Sequence, residues 1–229
     1  MNRVGLTSPK QYQLLAGQAM VWHTVQAFRQ VTSVVGIWAV TAPGDTGFTQ
    51  ACPDFKRPGE MQVAVGGATR ALSVRNGLLA LLEQAAEPGD WVLVHDAARC
   101  LITPLQINAL IDACQHDPVG GLLALPLADT LKSSQIGDKQ NRVATTLPRA
   151  DKWLAQTPQM FRVGGLLAAL DAAEKRGMVV TDESSALEAQ GLKPRLVPGS
   201  AQNFKVTYPD DFALAEAVLQ SRMKDPHAC

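Results

Sequence analysis

No uninterrupted apolar run in this 229-residue sequence approaches the roughly 20 residues needed to cross a bilayer as a helix. The opening stretch, MNRVGLTSPKQYQLL, has no apolar core of the kind a secretory leader carries. Neither sign of charge is in excess: 21 Lys and Arg balance 21 Asp and Glu. There is therefore no global field to draw the chain to nucleic acid or an anionic membrane, and neither is expected as a partner. Any phosphate binding falls to local basic residues. Cysteine is scarce. Cys52, Cys100, Cys114 and Cys229 include no C-x-x-C pair, which argues against zinc and dithiol redox chemistry. The expectation is a cytoplasmic protein with free thiols.

What is present is a hydrophobic content of 46%, ordinary for a globular domain, and a chain long enough to bury a sizeable core. Helix-like and strand-like stretches alternate, which predicts an α/β fold with a mostly parallel sheet. Residues 20–30 place Val21, Val25 and Phe28 at helical spacing. Residues 34–41, 61–65 and 91–94 read as short buried strands. Residues 69–85 and 105–114 read as helices, and 121–127 as a further strand. After residue 162 come helices near 163–176 and 182–190, with Thr181 as an expected N-cap and Gly191 as the residue just past the end. A strand near 195–197 follows. The last helix begins after Pro209, with Asp210 and Asp211 at its positive end. One domain is expected over 1–222, with a disordered tail at 223–229.

Residues 128–148, ADTLKSSQIGDKQNRVATTLP, interrupt this pattern. They are polar and turn-rich, and two short strands near 129–134 and 142–147 would make a protruding β-arm. A loose surface loop is the alternative, since loops this long are either functional or disordered.

In open α/β sheets ligands gather beyond the carboxyl ends of the strands. The run His95-Asp96-Ala97-Ala98-Arg99 directly follows the strand WVLV, so its charges fall at that edge. Gly66-Gly67-Ala68 also follows a strand and precedes a helix that carries Ser73 in its first turns. Such a turn can present backbone N–H groups to an anion, or it can be an ordinary strand-to-helix connection. Arg3, Lys10, Arg149 and Lys205 lie in stretches without periodicity, where a charge is commonly solvated surface.

The motifs PKQY, GGxxRxxSV, VHDAAR, LPLADTLK, AQTPQMF, TDESSALE and NFKVTYPDDFALAE occur in this order between about Arg3 and Leu219. Together they resemble the 2-C-methyl-D-erythritol 4-phosphate cytidylyltransferase family of the non-mevalonate isoprenoid pathway. The resemblance implies a Rossmann-like nucleotidyltransferase sheet flanked by helices, with a β-arm that hooks onto a second subunit to form a homodimer. It implies cytidylyl transfer from CTP to 2-C-methyl-D-erythritol 4-phosphate, with pyrophosphate released and Mg²⁺ held mainly by the CTP phosphates. Arg3 and Lys10 match the family's catalytic cations, which stabilise charge on the triphosphate. Gly66, Gly67, Ser73 and Ala97 match positions around the nucleotide. Asp96, Arg99, Thr130, Arg149, Thr181 and Lys205 match positions around the phosphosugar, with Thr130 and Arg149 expected to act across the dimer.

The sequence departs from the family twice. Cys100 stands where many relatives have proline after VHDAAR, and the reaction needs no cysteine nucleophile. Relatives also open with an apolar strand and a P-A-A-G-x-G-x-R-M loop that wraps the CTP phosphates, of which Asn2-Arg3-Val4-Gly5 matches only the end. The expectation is that the true start lies upstream; a truncated, inactive nucleotide-binding homologue is the other reading. A cytidylyltransferase for another polyol phosphate, such as ribitol 5-phosphate, is the competing enzyme. Fusion to the cyclodiphosphate synthase that follows in the pathway is not expected.

Overall fold

The computed structural model describes residues 9–135, 137 and 140–224. A turn of 3-10 helix at Lys10–Tyr12 leads into a small hairpin, β1 (Leu14–Leu15) and β2 (Gln18–Ala19), and then into α1 (Met20–Arg29). There follow β3 (Ile37–Val40), α2 (Gly47–Ala51), β4 (Glu60–Val63), α3 (Arg70–Gln84), β5 (Trp91–Val94), α4 (Pro104–Cys114) and β6 (Gly120–Pro126). The ribbon strands β7 (Leu131–Ser134) and β8 (Val143–Leu147) precede β9 (Trp153–Arg162), α5 (Val163–Lys175), α6 (Glu183–Glu188), β10 (Arg195–Pro198) and α7 (Pro209–Lys224).

The expected α/β architecture is present, but the sheet is mixed. Four strands run in the order β10-β6-β9-β5. The β10–β6 pair is parallel, while β9 runs antiparallel to both of its neighbours. A separate parallel pair, β3–β4, lies apart from that sheet. β9 is the element that sequence patterning passes over. Its interior reads AQTPQMF, and the polar Gln156, Thr157 and Gln159 interrupt any apolar run although all three are buried.

Local chemistry explains the helix starts. Thr69 accepts a hydrogen bond from the Leu72 amide at the head of α3. Thr103 and Gln106 form a reciprocal capping box at α4, with Pro104 in the first turn, where its missing N–H costs nothing. At α6 the cap is Asp182, not Thr181: the Asp182 carboxylate accepts the Ser185 amide at 3.0 Å and Ser185 Oγ accepts the Asp182 amide at 3.3 Å. A carboxylate at this position also meets the positive end of the helix, which a threonine hydroxyl does less well. Gly191 takes the left-handed conformation expected past the helix end, with φ 79°.

Two apolar layers cover the sheet. On one face Phe28, Ile107, Leu110 and Cys114 pack against Leu123 and Met160. On the other, Leu78 and the α5 stripe Val163, Leu166 and Leu170 pack against Phe161. Each such fully buried aliphatic side chain contributes roughly 1.5–3 kcal/mol relative to exposure. Arg29 at the end of α1 grips Glu60 of β4 through two bonds of 2.6 and 2.9 Å, fastening the β3–β4 pair to the helix layer. Cys52, Cys100 and Cys114 are free and buried, and burial pushes each thiol up to about 11.

Residues 131–134 and 143–147 pair as an antiparallel ribbon with one register shift, and β8 is exposed along its whole length. Of the tail expected at 223–229, Met223 and Lys224 are the last residues of α7. The rest of that tail lies outside the described residues. No described helix is long and apolar enough to cross a membrane.

Candidate functional site

β5 delivers Asp96 at its carboxyl end, and the turn that follows is held from three sides. The Asp96 amide donates to Thr157 Oγ1 at 3.1 Å, and Thr157 Oγ1 lies 3.0 Å from His95 Nδ1. His95 Nε2 lies 3.2 Å from the Arg99 carbonyl. A carbonyl can only accept, so Nε2 carries the proton and Nδ1 accepts from the threonine hydroxyl. Burial pushes the His95 imidazole down to about 4, so it is neutral at physiological pH. The result is a rigid, uncharged brace under the turn. Arg99 closes it by donating to the Asn203 carbonyl at 2.8 Å and the Ala155 carbonyl at 3.1 Å. Arg99 Nε and Asn203 Oδ1 are buried without a hydrogen-bond partner among the described residues.

The segment after β10 carries Lys205 to the same place. Asn203 is fully buried and its amide donates to Gln156 Oε1 and to the Thr157 carbonyl. Two residues past Lys205's other flank, the chain is fixed again by Asp211, which accepts the Thr207 and Tyr208 amides. Val206 is fully buried, and its amide donates to the Ala98 carbonyl at 2.9 Å. Lys205 thus projects from a strap pinned on both sides, and its ammonium reaches Asp96 Oδ2 at 2.7 Å.

Asp96 Oδ1 is taken by Arg70 Nε, also at 2.7 Å. The two terminal nitrogens of Arg70 then form a bidentate pair with Glu183 at 2.6 and 3.0 Å. Glu183 is almost wholly inaccessible. Lys10 approaches from the 3-10 turn and donates to the Val206 carbonyl at 2.8 Å. Partial burial and the neighbouring Lys205 ammonium lower the Lys10 pKa. Burial alone would raise Asp96, but Arg70 and Lys205 outweigh it and hold the carboxyl well below the usual range.

The site therefore gathers Lys10, Arg70, Arg99 and Lys205 around two carboxylates, Asp96 and Glu183. A chain of zero net charge concentrates cations here, and such a cluster suits an anion that carries several charges.

Of the residues singled out from the sequence, Lys10, Asp96, Arg99 and Lys205 come together. Ala97 lies in the same turn, its carbonyl accepting from Thr24 Oγ1 at 3.1 Å. Arg3 lies outside the described residues. Thr130 and Arg149 are exposed at the base of the ribbon, where Arg149 donates to the Ala128 carbonyl. Neither is bonded to the Asp96 cluster within the described chain. Thr181 is exposed beside the α6 cap, two residues from Glu183.

At the glycine turn the structure shows the ordinary strand-to-helix connection, one of its two readings. Gly66 N donates to the Thr41 carbonyl at 2.8 Å, and Gly67 N to Ser73 Oγ at 3.0 Å. Both amides are engaged inside the protein and are not free to receive an anion. The glycines are required by space: a Cβ on Gly66 would lie 2.8 Å from the Thr41 carbonyl oxygen, and one on Gly67 only 2.5 Å from the Leu72 side chain. Gly66, Gly67 and Ser73 form a tightly packed turn at the end of β4.

Arg70 and Glu183 were missed by the sequence reading. Both stand inside motifs that carry the resemblance, GGxxRxxSV and TDESSALE, but 113 residues separate them and nothing local to either marks the pair. No cluster of three or more His, Cys, Asp or Glu that could hold a metal occurs among the described residues. The two carboxylates of the site are engaged by Arg70 and Lys205.

Residues 2–221 match the model of the 2-C-methyl-D-erythritol 4-phosphate cytidylyltransferase family. A bifunctional IspD/IspF enzyme from Albidiferax ferrireducens is 62% identical over 96% of this chain, and the chain spans about half (51%) of that relative. The 2-C-methyl-D-erythritol 4-phosphate cytidylyltransferase of Burkholderia multivorans is 50% identical over 95% of this chain and 91% of its own length. Among solved structures, a 4-diphosphocytidyl-2C-methyl-D-erythritol synthase superposes with TM-score 0.83 at 36% identity, covering 92% of this chain and 94% of that one. The Francisella tularensis cytidylyltransferase superposes with TM-score 0.79 at 32% identity, covering 92% and 93%.

Proposed function

The chain belongs to the 2-C-methyl-D-erythritol 4-phosphate cytidylyltransferase family, and from that premise we propose how its residues carry out the transfer. The reaction is cytidylyl transfer from CTP to 2-C-methyl-D-erythritol 4-phosphate. An oxygen of the acceptor phosphate forms a bond to the α-phosphorus of CTP, the bond from that phosphorus to the bridging oxygen breaks, and pyrophosphate leaves. The product is 4-diphosphocytidyl-2-C-methyl-D-erythritol, an isoprenoid precursor. No covalent enzyme intermediate is required.

The observation that carries this reading is the convergence of Lys10 and Lys205 on one carboxylate-braced pocket at the end of β5. Two anions must meet in this reaction, and their repulsion is the main obstacle. Fixed cations offset it, and because they are held before substrate arrives, little reorganisation is needed during the reaction. Lys205 takes the acceptor phosphate, with Asp96 and Arg99 beside the polyol. Lys10 and Arg3 take the triphosphate, where charge builds up on the departing pyrophosphate. Gly66, Gly67, Ser73 and Ala97 shape the cytidine side, acting by close packing more than by free amides. Mg²⁺ would be held mainly by the CTP phosphates and would neutralise part of their charge.

Thr130, Arg149 and Thr181 complete the acceptor pocket in a homodimer. The ribbon β7–β8 leaves Val143 and Leu147 exposed, and Trp153 and Leu154 on β9 are exposed as well. A two-stranded ribbon is marginal alone, and such a patch suits a second copy that would bring Arg149 over the partner's pocket. The place of action is the cytoplasm, where buried free thiols persist.

The test is pyrophosphate release with CTP and Mg²⁺, with either methylerythritol phosphate or ribitol 5-phosphate as acceptor. Release that depends on methylerythritol phosphate supports the reading. Equal or faster release with ribitol 5-phosphate would move the chain to the other acceptor.

A further inference from the structure

Arg70 donates to two carboxylates of opposite circumstance. Its Nε holds Asp96, which faces the pocket, while its terminal nitrogens hold Glu183, which is 1% exposed at the start of α6. A guanidinium is planar, so fixing two of its nitrogens on Glu183 fixes the direction of the third. Glu183 cannot turn away to water, and Ser184, the residue after it, is tied to β9 by its amide bond to Gln159 Oε1 at 2.8 Å. Gln159 Nε2 in turn donates to the α6 cap Asp182 at 2.9 Å. A rigid path thus runs from β9 through the head of α6 to Glu183, Arg70, Asp96 and Lys205.

We propose that Arg70 and Glu183 are positioning residues that orient Asp96, and through it the Lys205 ammonium, for the incoming phosphate monoester. The inference rests on the acceptor role assigned to Lys205 above. Lysine alone is poorly suited to this task. Its stem is flexible and its head is a strongly hydrated point charge. Lys205 is 42% exposed at the side chain, so without Asp96 it would sample solvent. Asp96 needs a second partner to stay in one rotamer, and Arg70 Nε is that partner. Glu183 supplies a counter-charge that keeps the guanidinium from swinging onto the substrate phosphates. Burial pushes the Glu183 carboxyl up while the two Arg70 bonds pull against it, so the ionised pair depends on both members.

The experiment uses the full chain and the double substitution Arg70→Met with Glu183→Leu, beside Arg70→Met alone. The single variant leaves a buried carboxyl without its cation and is expected to melt well below wild type. The double variant removes both charges together and should recover most of the melting temperature. Its turnover should nevertheless stay lower by about 10- to 100-fold, with KM for CTP within about twofold of wild type. A ¹³C-carboxyl NMR titration of Asp96 gives a readout independent of activity. The groups facing Asp96 are Arg70 on α3, Lys205 and Lys10, with His95 and Arg99 in its own turn and Glu183 behind Arg70. Removing Arg70 should move the Asp96 midpoint up towards the usual carboxylate value. A midpoint unchanged in the double variant, or turnover equal to wild type in a folded double variant, overturns the inference. If the wild-type chain releases no pyrophosphate with either acceptor, the functional reading fails, and the Asp96 titration still decides whether Arg70 controls that carboxylate.

Discussion

Lys205 Nζ lies 2.7 Å from Asp96 Oδ2, joining two residues that are 109 apart in the sequence. An ion pair with a partly exposed lysine contributes about 0–1 kcal/mol. Its effect is to hold an ammonium over the pocket.

Lys205→Ala should therefore leave the melting temperature nearly unchanged while lowering turnover. Losing a charge-assisted contact to phosphate costs roughly 1.5–3 kcal/mol, or about 10- to 100-fold in rate. Arg149→Ala should behave alike, since it is exposed and its guanidinium donates to a backbone carbonyl. Both variants should bind CTP nearly as well as wild type. Calorimetric titration with CTP beside steady-state kinetics makes the comparison. Equal losses in CTP affinity would place these cations on the nucleotide.

Shortening the ribbon should weaken association and activity together. β8 is exposed throughout, and Val143 and Leu154 are more than half exposed. Deleting residues 134–141 removes the tip of the arm without touching the Asp96 cluster. Light scattering of the intact chain at micromolar concentration should give a dimer, and the deletion should shift it towards monomer. A monomeric intact chain rejects the arm's role.

How far the sequence discloses the fold depends on whether each element signals locally. β5 is legible in full, because WVLV is an unbroken apolar run. β9 is illegible because the very residues that bury it are polar: Gln156 serves Ser200 and Asn203, Thr157 braces Asp96, and Gln159 ties α6. The Asp96 and Lys205 motifs stand out by resemblance, yet their junction through Arg70 and Glu183 appears only once the fold brings α3 and α6 together. Gly66 and Gly67 show the reverse case. Their pattern fits an anion-binding turn as well as an ordinary connection, and in the fold their amides go to Thr41 and Ser73.

Acid should destabilise the protein through His95 well before the carboxylates protonate. Burial holds its folded-state value at about 4, against about 6.5 when unfolded. The unfolded chain thus binds a proton that the folded chain refuses. Stability is fully present above about pH 6.5 and falls as the pH drops towards 4, by up to about 3 kcal/mol. His23, also lowered by burial, acts in the same sense. Urea denaturation at steps between pH 7 and 4.5 should show this slope, and His95→Gln should reduce but not abolish it. An undiminished slope in the variant would assign the effect elsewhere.

The β3–β4 pair and the four-stranded sheet lie between the same helix layers without pairing to each other. Ile37 of β3 and Leu93 of β5 pack against one apolar cluster that includes Phe28. On the opposite face α3 meets both. A Cβ on its Gly77 would come within 2.6 Å of Val40, while Val74 and Leu78 pack beside Val92 and Val94. Among the described residues β3 pairs only with β4, and β5 only with β9. Each therefore keeps one edge of backbone donors and acceptors without a strand partner, a costly arrangement between two apolar layers. An added strand between them would unite six strands and bring a following loop to the carboxyl end of β5, beside Lys10 and Lys205. Extending the chain ahead of Arg3 with an apolar strand and the family's A-A-G-x-G loop should raise the melting temperature. The loop's amides would hold the triphosphate in line, each contact worth about 1–3 kcal/mol, so pyrophosphate release should rise by more than about tenfold. The two proteins are compared under the same CTP and Mg²⁺. Matching rates and matching melting temperatures would mean that the edges of β3 and β5 are satisfied without such a strand, and that Lys10 holds the triphosphate without the loop.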